Sequence, residues 1–485
     1  MAMIGRKKEL LLLEEAFKSD RAEMIAVYGR RRIGKTYLIR EFFKTQPNTF
    51  TLALTGQSNG DMKTQIRNCV RILKDDCNIS LPSTAKWDDV FAQIKTFHQA
   101  NRTVYDHFVV FIDETPWIST VKSGFIGAVG HIWNTHFSFF PNVTFVLCGS
   151  AAAWMLKNIA SDKGELHGRI TRRIALKPFT LVECEHYLQE KGFTISRKHV
   201  IDYYIALGGV AQYLSYLNPH KSYSQNIDAL CFSTDGMLYD EFGKLFTALF
   251  GKTPHHKAVV EFLAAKASLR YGAQEIADGI KVKSLASIYG ILDDLEAAGF
   301  VREQRYYNQN TRDALYSLCD PYSYFYLKWI KGVSRSSVEQ NATYWSAMEF
   351  TQGYKSWAGN AFEMVSHNHI PQIKRALGIS GVKTDSYYWR TKAGDNHKGA
   401  QIDLLLKRAD KTVTIVECKY YGEAFTIDIA YEKNLENKKL SFSAGDKESN
   451  AITLAMLTTY GAVRGKGVNV HFTDLTMDSL FSDTV

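Results

Sequence analysis

The chain has no cysteine pair at metal-ligand spacing. Its seven cysteines, at 69, 77, 148, 184, 231, 319 and 418, are scattered and odd in number, without a CxxC. That argues against a zinc site and a disulfide framework, and cysteines in apolar surroundings, such as Cys148 in FVLCGS, suit reduced thiols. No apolar run approaches the roughly 18–20 residues of a membrane span. The leucines of the N-terminal MAMIGRKKELLLLEEAF are followed directly by Glu14 and Glu15, so no secretory h-region forms. The expectation is a cytoplasmic protein with no membrane partner. Nine prolines in 485 residues exclude a proline-rich linker protein, and 33 glycines without a repeat exclude collagen-like order. Acidic residues are outnumbered 50 to 59 by Lys and Arg, a net charge of +9 that permits a nucleic-acid partner without identifying one.

What is present is globular: 45% hydrophobic and 13% aromatic residues, over a length whose prior is about three domains. Short apolar runs MIAVYG (24–29), FTLAL (50–54), HFVVFID (107–113) and VTFVLCG (143–149) alternate with helical patterns. That alternation predicts a parallel α/β sheet covered on both faces. Trp87, Val90, Phe91, Ile94 and Phe97 recur at helical spacing ahead of the third run. After about residue 178 the pattern turns helical, opening with Thr180-Leu-Val-Glu183 as a capping box. From about 345 an α/β mixture returns. Four units are expected: 1–178, a helical segment 179–250, a unit 251–335, and an α/β unit 336–485.

Gly29-Arg30-Arg31-Arg32-Ile33-Gly34-Lys35-Thr36 matches GxxxxGK[ST], between the apolar run MIAVY and the helical TYLIREFF. That context is what the phosphate-binding loop requires: glycines let backbone amides approach phosphates, and the helix N-terminus adds partial positive charge. Lys35 is expected at the β- and γ-phosphates of ATP, and Thr36 at Mg²⁺. Asp113, ending an apolar strand, is costly unless it holds something, and Mg²⁺ through its water shell fits. Glu114 beside it is the candidate to polarise the attacking water. Ser150, after VTFVLCG, is placed to sense the γ-phosphate. Gly168-Arg169-Ile-Thr-Arg172-Arg173 offers Arg169 as an arginine finger, in cis or to a neighbouring subunit; a solvated basic loop is the plain alternative.

Together with Ile4-Gly5-Arg6-Lys7-Lys8-Glu9, the DE pair, CGS, Gly168-Arg169 and the LKPF string at 176–179, this set resembles the archaeal-type ATPases of the STAND branch of AAA+-related NTPases. The resemblance extends through DEFGKLF (240–246) and YSLCDPYSYFYLKWI (316–330). It implies that Gly5 and Arg6 border the nucleotide, that 179–250 is a lid, and that nucleotide state switches conformation or assembly, leaving a homo-oligomer open. The family's GxP element reads Gly209-Val210-Ala211 here. Residues 254–320 resemble a winged helix-turn-helix. SLASIYGILDDLEAAGF is its third helix, with Leu285, Ile288, Leu292 and Leu295 on the buried stripe, and the hairpin Val301 to Leu318 is its wing. Lys281, Lys283, Arg302, Arg305 and Arg312 suit phosphate contacts, whereas Asp293, Asp294 and Glu296 would repel a groove, so a spacer or protein-docking role stands beside DNA binding.

In the last unit Asp403 and Glu417 are 14 residues apart, room for two antiparallel strands, and Glu417 and Lys419 project from the same face of one strand. Acid and base flanking Cys418 in an apolar strand demand a reason. The pattern resembles the (D/E)-xₙ-ExK core of PD-(D/E)XK nucleases, with Glu363 in GNAFEMVSHNHI at the upstream acidic position. The resemblance implies Mg²⁺, or Mn²⁺, on Asp403, Glu417 and the Cys418 carbonyl, with Glu363 assisting and Lys419 orienting or deprotonating water. Lys433 is a weaker candidate for phosphate. His367-Asn368-His369 is read as helix-surface polarity, and Gly465-Lys466-Gly467 is no phosphate loop.

The expected architecture is therefore α/β: a P-loop NTPase parallel sheet with helical lid, a winged helix-turn-helix, and a C-terminal restriction-endonuclease-like domain. The expected function is an ATP-dependent switch, an ATPase coupled to a metal-dependent nuclease, with DNA as first-choice partner and RNA as the alternative. Control of mobile DNA or defence follows from family analogy alone. The rival is a nucleotide-regulated DNA-binding or signalling ATPase whose nuclease-like domain is inactive. A protein partner is not legible.

Overall fold

The computed structural model describes residues 3–160, 166–251, 253–308, 314–340, 343–349, 351–392 and 399–483. The chain divides into two compact units, before and after the 178/179 peptide.

The first unit holds strands β1 (Glu23–Tyr28), β2 (Thr49–Thr55), β3 (His107–Asp113), β4 (Val143–Gly149) and β5 (Arg172–Ala175). They form one all-parallel sheet in the order β2-β3-β4-β1-β5. The inner strands β1, β3 and β4 read as nearly unbroken apolar runs because both faces are covered, whereas the edge strands β2 and β5 are only partly buried. Met24 and Ala26 of β1 face one core with Val110 and Ile112 of β3; Ile25 and Val27 face the other with Val109 and Phe111. The helix Trp87–Asn101 buries Trp87, Val90, Phe91 and Ile94 against the first of these cores, at the spacing the sequence predicts, with Phe97 packed alongside. Each such side chain contributes about 1.5–3 kcal/mol. This burial fixes the carboxyl edge of the sheet, where the loops after β1, β3 and β4 emerge together.

The second unit begins with helices. Thr180 caps Leu181–Glu190, its hydroxyl accepting from the Glu183 amide (3.4 Å) while the Glu183 carboxylate accepts from the Thr180 amide (2.8 Å). Its strands are β6 (Tyr271–Gly272), β7 (Val301–Tyr306), β8 (Ala314–Leu318), β9 (Thr384–Thr391), β10 (Ala400–Arg408), β11 (Thr412–Lys419), β12 (Phe425–Ile427), β13 (Ala451–Thr458), β14 (Ala462–Arg464) and β15 (Thr473–Thr476). Eight of them form one sheet, β15-β13-β11-β10-β9-β7-β8-β6, and β12 pairs with β14.

This sheet crosses the boundary expected at 335/336. The hairpin expected as the wing is β7–β8, and the second edge of β7 is covered by β9 in parallel pairing, Arg305 opposite Tyr387 and Tyr306 opposite Tyr388. An unpaired strand edge needs a cover, and the local pattern carries no sign of which distant strand supplies it. Of the wing arginines, Arg302 donates to the Asn368 side chain within the fold, Arg305 is exposed, and Arg312 lies outside the described residues. Two acids of the third helix are also engaged: Asp294 with His256 (3.0 Å), and Glu296 with the Glu303 amide (3.1 Å). All seven cysteines are free thiols. Among the described residues no helix is long and apolar enough to cross a membrane.

Candidate functional site

The loop between β1 and the helix Lys35–Lys44 turns on glycines in the left-handed region. Gly29 sits at φ +144°, where a Cβ would lie 2.1 Å from the Leu176 carbonyl oxygen. Gly34 sits at φ +95° with nothing within 4 Å of a Cβ position, an open cradle over the helix N-terminus. Arg32 also has positive φ, 71°. The Lys35 ammonium is buried and donates to the Gly29 (2.9 Å) and Arg30 (2.8 Å) carbonyls. Burial pushes its pKa below the ordinary lysine value, against the opposing pull of Cys148, Glu114 and Asp113.

Around this loop the other expected residues converge. The Thr36 hydroxyl donates to Asp113 Oδ2 (2.8 Å), joining first helical turn to strand end across 77 residues of sequence. Glu114 lies in left-handed conformation (φ 48°), and its Oε2 accepts from the Ser150 amide (3.2 Å) and hydroxyl (2.8 Å). Arg6, just after Gly5 and like it at positive φ, is buried and donates to the Ile33 carbonyl (3.0 Å) and the Lys177 carbonyl (2.6 Å). Arg30 is buried, Ile33 packs in the core beneath the loop, and Arg31 stacks over Trp117 at 5.5 Å. Carboxylate, hydroxyl and ammonium at an open backbone cradle fit a nucleotide phosphate with its magnesium ion.

Arg169 does not join them. β5 is parallel to β1, with Ile25 opposite Arg172, so residues entering β5 lie at the amino edge of the sheet, away from the loop that leaves β1. There Arg169 donates to Asn134 Oδ1 (2.8 Å) and the His167 carbonyl (3.1 Å), while Arg172 pairs with Glu15 (3.1 Å). The basic stretch 169–173 is thus not beside the nucleotide loop of its own chain.

In the second unit Asp403, Glu417 and Lys419 meet. β10 and β11 are antiparallel, and the pair Leu404–Val416 carries Asp403 to the position opposite Glu417. Against β9 the register of β10 slips between Ile402 and Leu405, a bulge of the kind that re-aims a side chain. Asp403 Oδ2 accepts from the Cys418 amide (2.9 Å) and lies 3.9 Å from Lys419 Nζ, which is 3.8 Å from Glu417 Oε2. Glu417 has no solvent exposure, whereas a quarter of the Lys419 side chain remains accessible (25%). Burial, then Asp403, raises the Glu417 pKa. For Lys419 burial works against the charge, but Asp403, Tyr431 and Glu417 outweigh it and hold the ammonium above its ordinary pKa. Burial also pushes the Cys418 thiol up, so the group available at that position is its main-chain carbonyl.

Glu363, on the helix Gln352–Asn368, is held by Arg270 (3.1 Å) and lies 3.9 Å from His367 Nε2. Its pKa is raised, by burial first and then by Asp403. Among the described residues no three His, Cys, Asp or Glu side chains converge at metal-ligand geometry. A hard cation here would rest on Asp403, Glu417 and main-chain oxygen, a donor set whose chemistry fits Mg²⁺ or Mn²⁺.

Several residues at this cluster escaped the sequence reading. Lys438, on the helix Ile429–Gly445, donates to Glu417 Oε1 (2.6 Å), and Tyr431 to Oε2 (3.2 Å); Lys433 is exposed. Arg270 comes from the segment before β6 and is oriented by Gln304 of β7 (2.7 Å). His367 and His369, read as surface polarity, are buried. His367 Nε2 bonds the Asp403 carbonyl (2.9 Å), and His369 donates from Nδ1 to Val365 (2.8 Å) while Nε2 accepts from the Leu181 amide (3.0 Å). The available signal was slight: Ala361, Phe362, Met364 and Val365 put apolar residues on several sides of the turn before them, in a helix that also carries Lys355, Asn360 and Glu363. Gly209 packs so close to Phe179 that a Cβ would fall 2.0 Å from its carbonyl oxygen.

Residues 3–217 match a family described as ATPase domains predominantly from Archaea, and residues 327–432 a family of archaeal and bacterial proteins of unknown function. Over 431 residues the chain is 22% identical to an uncharacterised protein of Methanocaldococcus jannaschii, covering 86% of this chain and 87% of that one. An uncharacterised ATP-binding protein of the same organism is 44% identical over 43 residues, 9% of this chain and 73% of that one. Among solved structures, the Walker-type ATPase of Pyrococcus abyssi is 16% identical with TM-score 0.49, over 67% of this chain and 96% of that chain. The Aeropyrum pernix ORC2 protein, in ADPNP–ADP complexes, is 12% identical with TM-score 0.43, over 71% and 95%. The similarity to the predominantly archaeal ATPase domains is thus confined to residues 3–217, and that to the family of unknown function to residues 327–432.

Proposed function

We propose that the protein is an ATP-dependent switch whose C-terminal cluster is a metal-dependent phosphodiesterase site acting on DNA. The observation that carries the second half is the meeting of Asp403, Glu417 and Lys419 within 4 Å at a bulged strand end, with Lys419 open to solvent. At the first site Lys35 and the loop amides hold the phosphates, Thr36 and Asp113 hold magnesium, Glu114 orients water, and Ser150 fixes Glu114. At the second, Asp403, Glu417 and the Cys418 carbonyl would hold Mg²⁺ or Mn²⁺, which supplies Lewis acidity toward phosphate and water. Lys419 orients the attacking water and offsets charge developing on the phosphate oxygens. Glu363 acts at a distance, through the charge it shares with Arg270. DNA is favoured over RNA by the nuclease resemblance, and the net charge of +9 is compatible with it. Assembly into a homo-oligomer on nucleotide binding belongs to the same reading.

The test incubates labelled DNA and RNA with Mg²⁺ or Mn²⁺, with and without ATP, for wild type, Lys419→Ala, Asp403→Asn and Lys35→Ala. Metal-dependent DNA cleavage lost in the first two variants supports the reading. Intact DNA under every metal sinks it, and cleavage by Lys35→Ala that matches wild type with and without ATP sinks the coupling.

A second reading has its own observation. Glu363 is paired by Arg270 and Glu417 by Lys438, so two of the three acids are satisfied by cations of the same chain. A nucleotide-regulated protein whose C-terminal domain binds without cutting is consistent with that, and the same assay separates the two.

A further inference from the structure

We propose that Lys438 is a resident counter-ion of Glu417, competing with a divalent cation for the same carboxylate, so that its displacement opens the C-terminal site. The inference rests on the metal-site reading above and adds a restraint to it. Lys438 occupies an unusual place for a lysine. On the helix Ile429–Gly445, Tyr431, Leu435, Lys438 and Phe442 follow at intervals of four, three and four residues, and Leu435 and Phe442 are buried against the sheet. Lys438 therefore stands on the core-facing stripe, with only 12% of its side chain accessible.

The ammonium lies 2.6 Å from Glu417 Oε1, and Glu417 itself is fully buried. Its other oxygen faces the Tyr431 hydroxyl at 3.2 Å and Lys419 at 3.8 Å. The groups that face Glu417 are thus Lys438 and Tyr431 from the helix, Lys419 from its own strand and Asp403 from β10. Two carboxylates are balanced by two ammonium groups. A hard cation needs a carboxylate oxygen at about 2.0–2.6 Å. The ammonium takes one lone pair of Oε1 and Tyr431 one of Oε2, and a cation at the same carboxylate would stand a few ångströms from the Lys438 charge, which repels it. A lysine has the flexible stem to leave.

The experiment measures Mn²⁺ binding to the nucleotide-free full chain by electron paramagnetic resonance. Lys438→Gln removes the charge and keeps a donor to Glu417; it is expected to bind Mn²⁺ at least about tenfold tighter than wild type. Lys438→Arg and Tyr431→Phe keep a positive charge beside Glu417 and should stay within about twofold of wild type. Asp403→Asn should abolish the site. Equal or weaker Mn²⁺ binding by folded Lys438→Gln overturns the proposal. Where that variant does not fold, wild type answers alone: amine labelling of Lys438 should rise several-fold on adding Mn²⁺, and an unchanged rate overturns the inference. Cleavage assays on the same samples keep the two ideas apart. Tighter Mn²⁺ without cleavage upholds the counter-ion and removes the nuclease; wild-type cleavage with no gain in Lys438→Gln does the reverse.

Discussion

Two glycines in one loop should fail in different ways when each gains a methyl group. In Gly29→Ala the new Cβ falls 2.1 Å from the Leu176 carbonyl oxygen and 3.1 Å from Ile33 Cδ1, at φ +144°. The carbonyl cannot swing aside cheaply, because the Leu176 amide is bonded to the Tyr28 carbonyl at 2.8 Å, continuing β5 alongside β1. Backbone strain of about 1–3 kcal/mol adds to an overpacking cost of about 1–3 kcal/mol. The sum, about 2–6 kcal/mol, is a large share of the roughly 5–15 kcal/mol that holds a domain together. In Gly34→Ala no atom lies within 4 Å of the new methyl, so only the strain at φ +95° remains, about 1–3 kcal/mol. The methyl there projects into the cradle. Hydrogen exchange of peptides from β1 and β5 reads the stability of the first unit, and a fluorescent ATP analogue reads binding. Gly29→Ala should open the sheet the more, while Gly34→Ala should leave it largely protected and still lose nucleotide. A Gly34→Ala protein less protected than Gly29→Ala would refute the argument from contact.

At the second site, Arg270→Ala strands Glu363 in a buried position, and denaturant unfolding should show about 3–5 kcal/mol of lost stability, against a smaller loss when Arg270→Met is combined with Glu363→Met. In the first unit His98 is buried, its Nδ1 3.0 Å from His136 Nε2, and burial pushes its pKa down to about 4. The unfolded chain takes up the proton first, so first-unit stability should fall as pH drops from 6.5 toward 4, and His98→Phe should flatten that slope in melts across the range. Thr36→Val removes the hydroxyl that meets Asp113 at 2.8 Å; nucleotide affinity should lose its Mg²⁺ dependence there and retain it in Thr36→Ser, as titrations with and without chelator would show.

Features that the chain writes contiguously were legible before the fold was known. Gly29 to Thr36 lie between one strand and one helix, and Asp113 and Ser150 each follow an apolar run that ends at the same sheet edge. Glu417 and Lys419 share a face through the two-residue period of a strand. Arg169 was misplaced because its surroundings depend on strand direction: the segment that enters a parallel strand lies at the opposite edge from the loops that leave it. Lys438 and Arg270 belong to no motif. For Lys438 the signal was faint: it shares a helix face with Tyr431, Leu435 and Phe442, but Ile429 and Leu440 place apolar residues on the exposed side as well. For Arg270 there was none, since its partner Glu363 is 93 residues away.

The pairing of β7 with β9 changes what the segment before residue 335 can do. Arg270 reaches both Gln304 on β7 and Glu363, and Gln401, two residues before Asp403, donates to the Ser268 carbonyl (2.9 Å). A winged helix joined in this way cannot swing without dragging Glu363 and the β10 bulge. The helices after residue 179 are tied in just as firmly. Asp202 accepts from Lys198 (2.7 Å) and from the hydroxyl of Tyr420, the residue after Lys419, and Arg197 bonds Asp478 (2.9 Å) near the chain's end. The ATPase family match runs to residue 217, yet the chain divides at 178/179. Residues 179–217 therefore fall within that family match and, by packing, within the body that holds Lys419. A shift of these helices meets the strand that carries Lys419 directly, through the hydrogen bond of Tyr420 to Asp202.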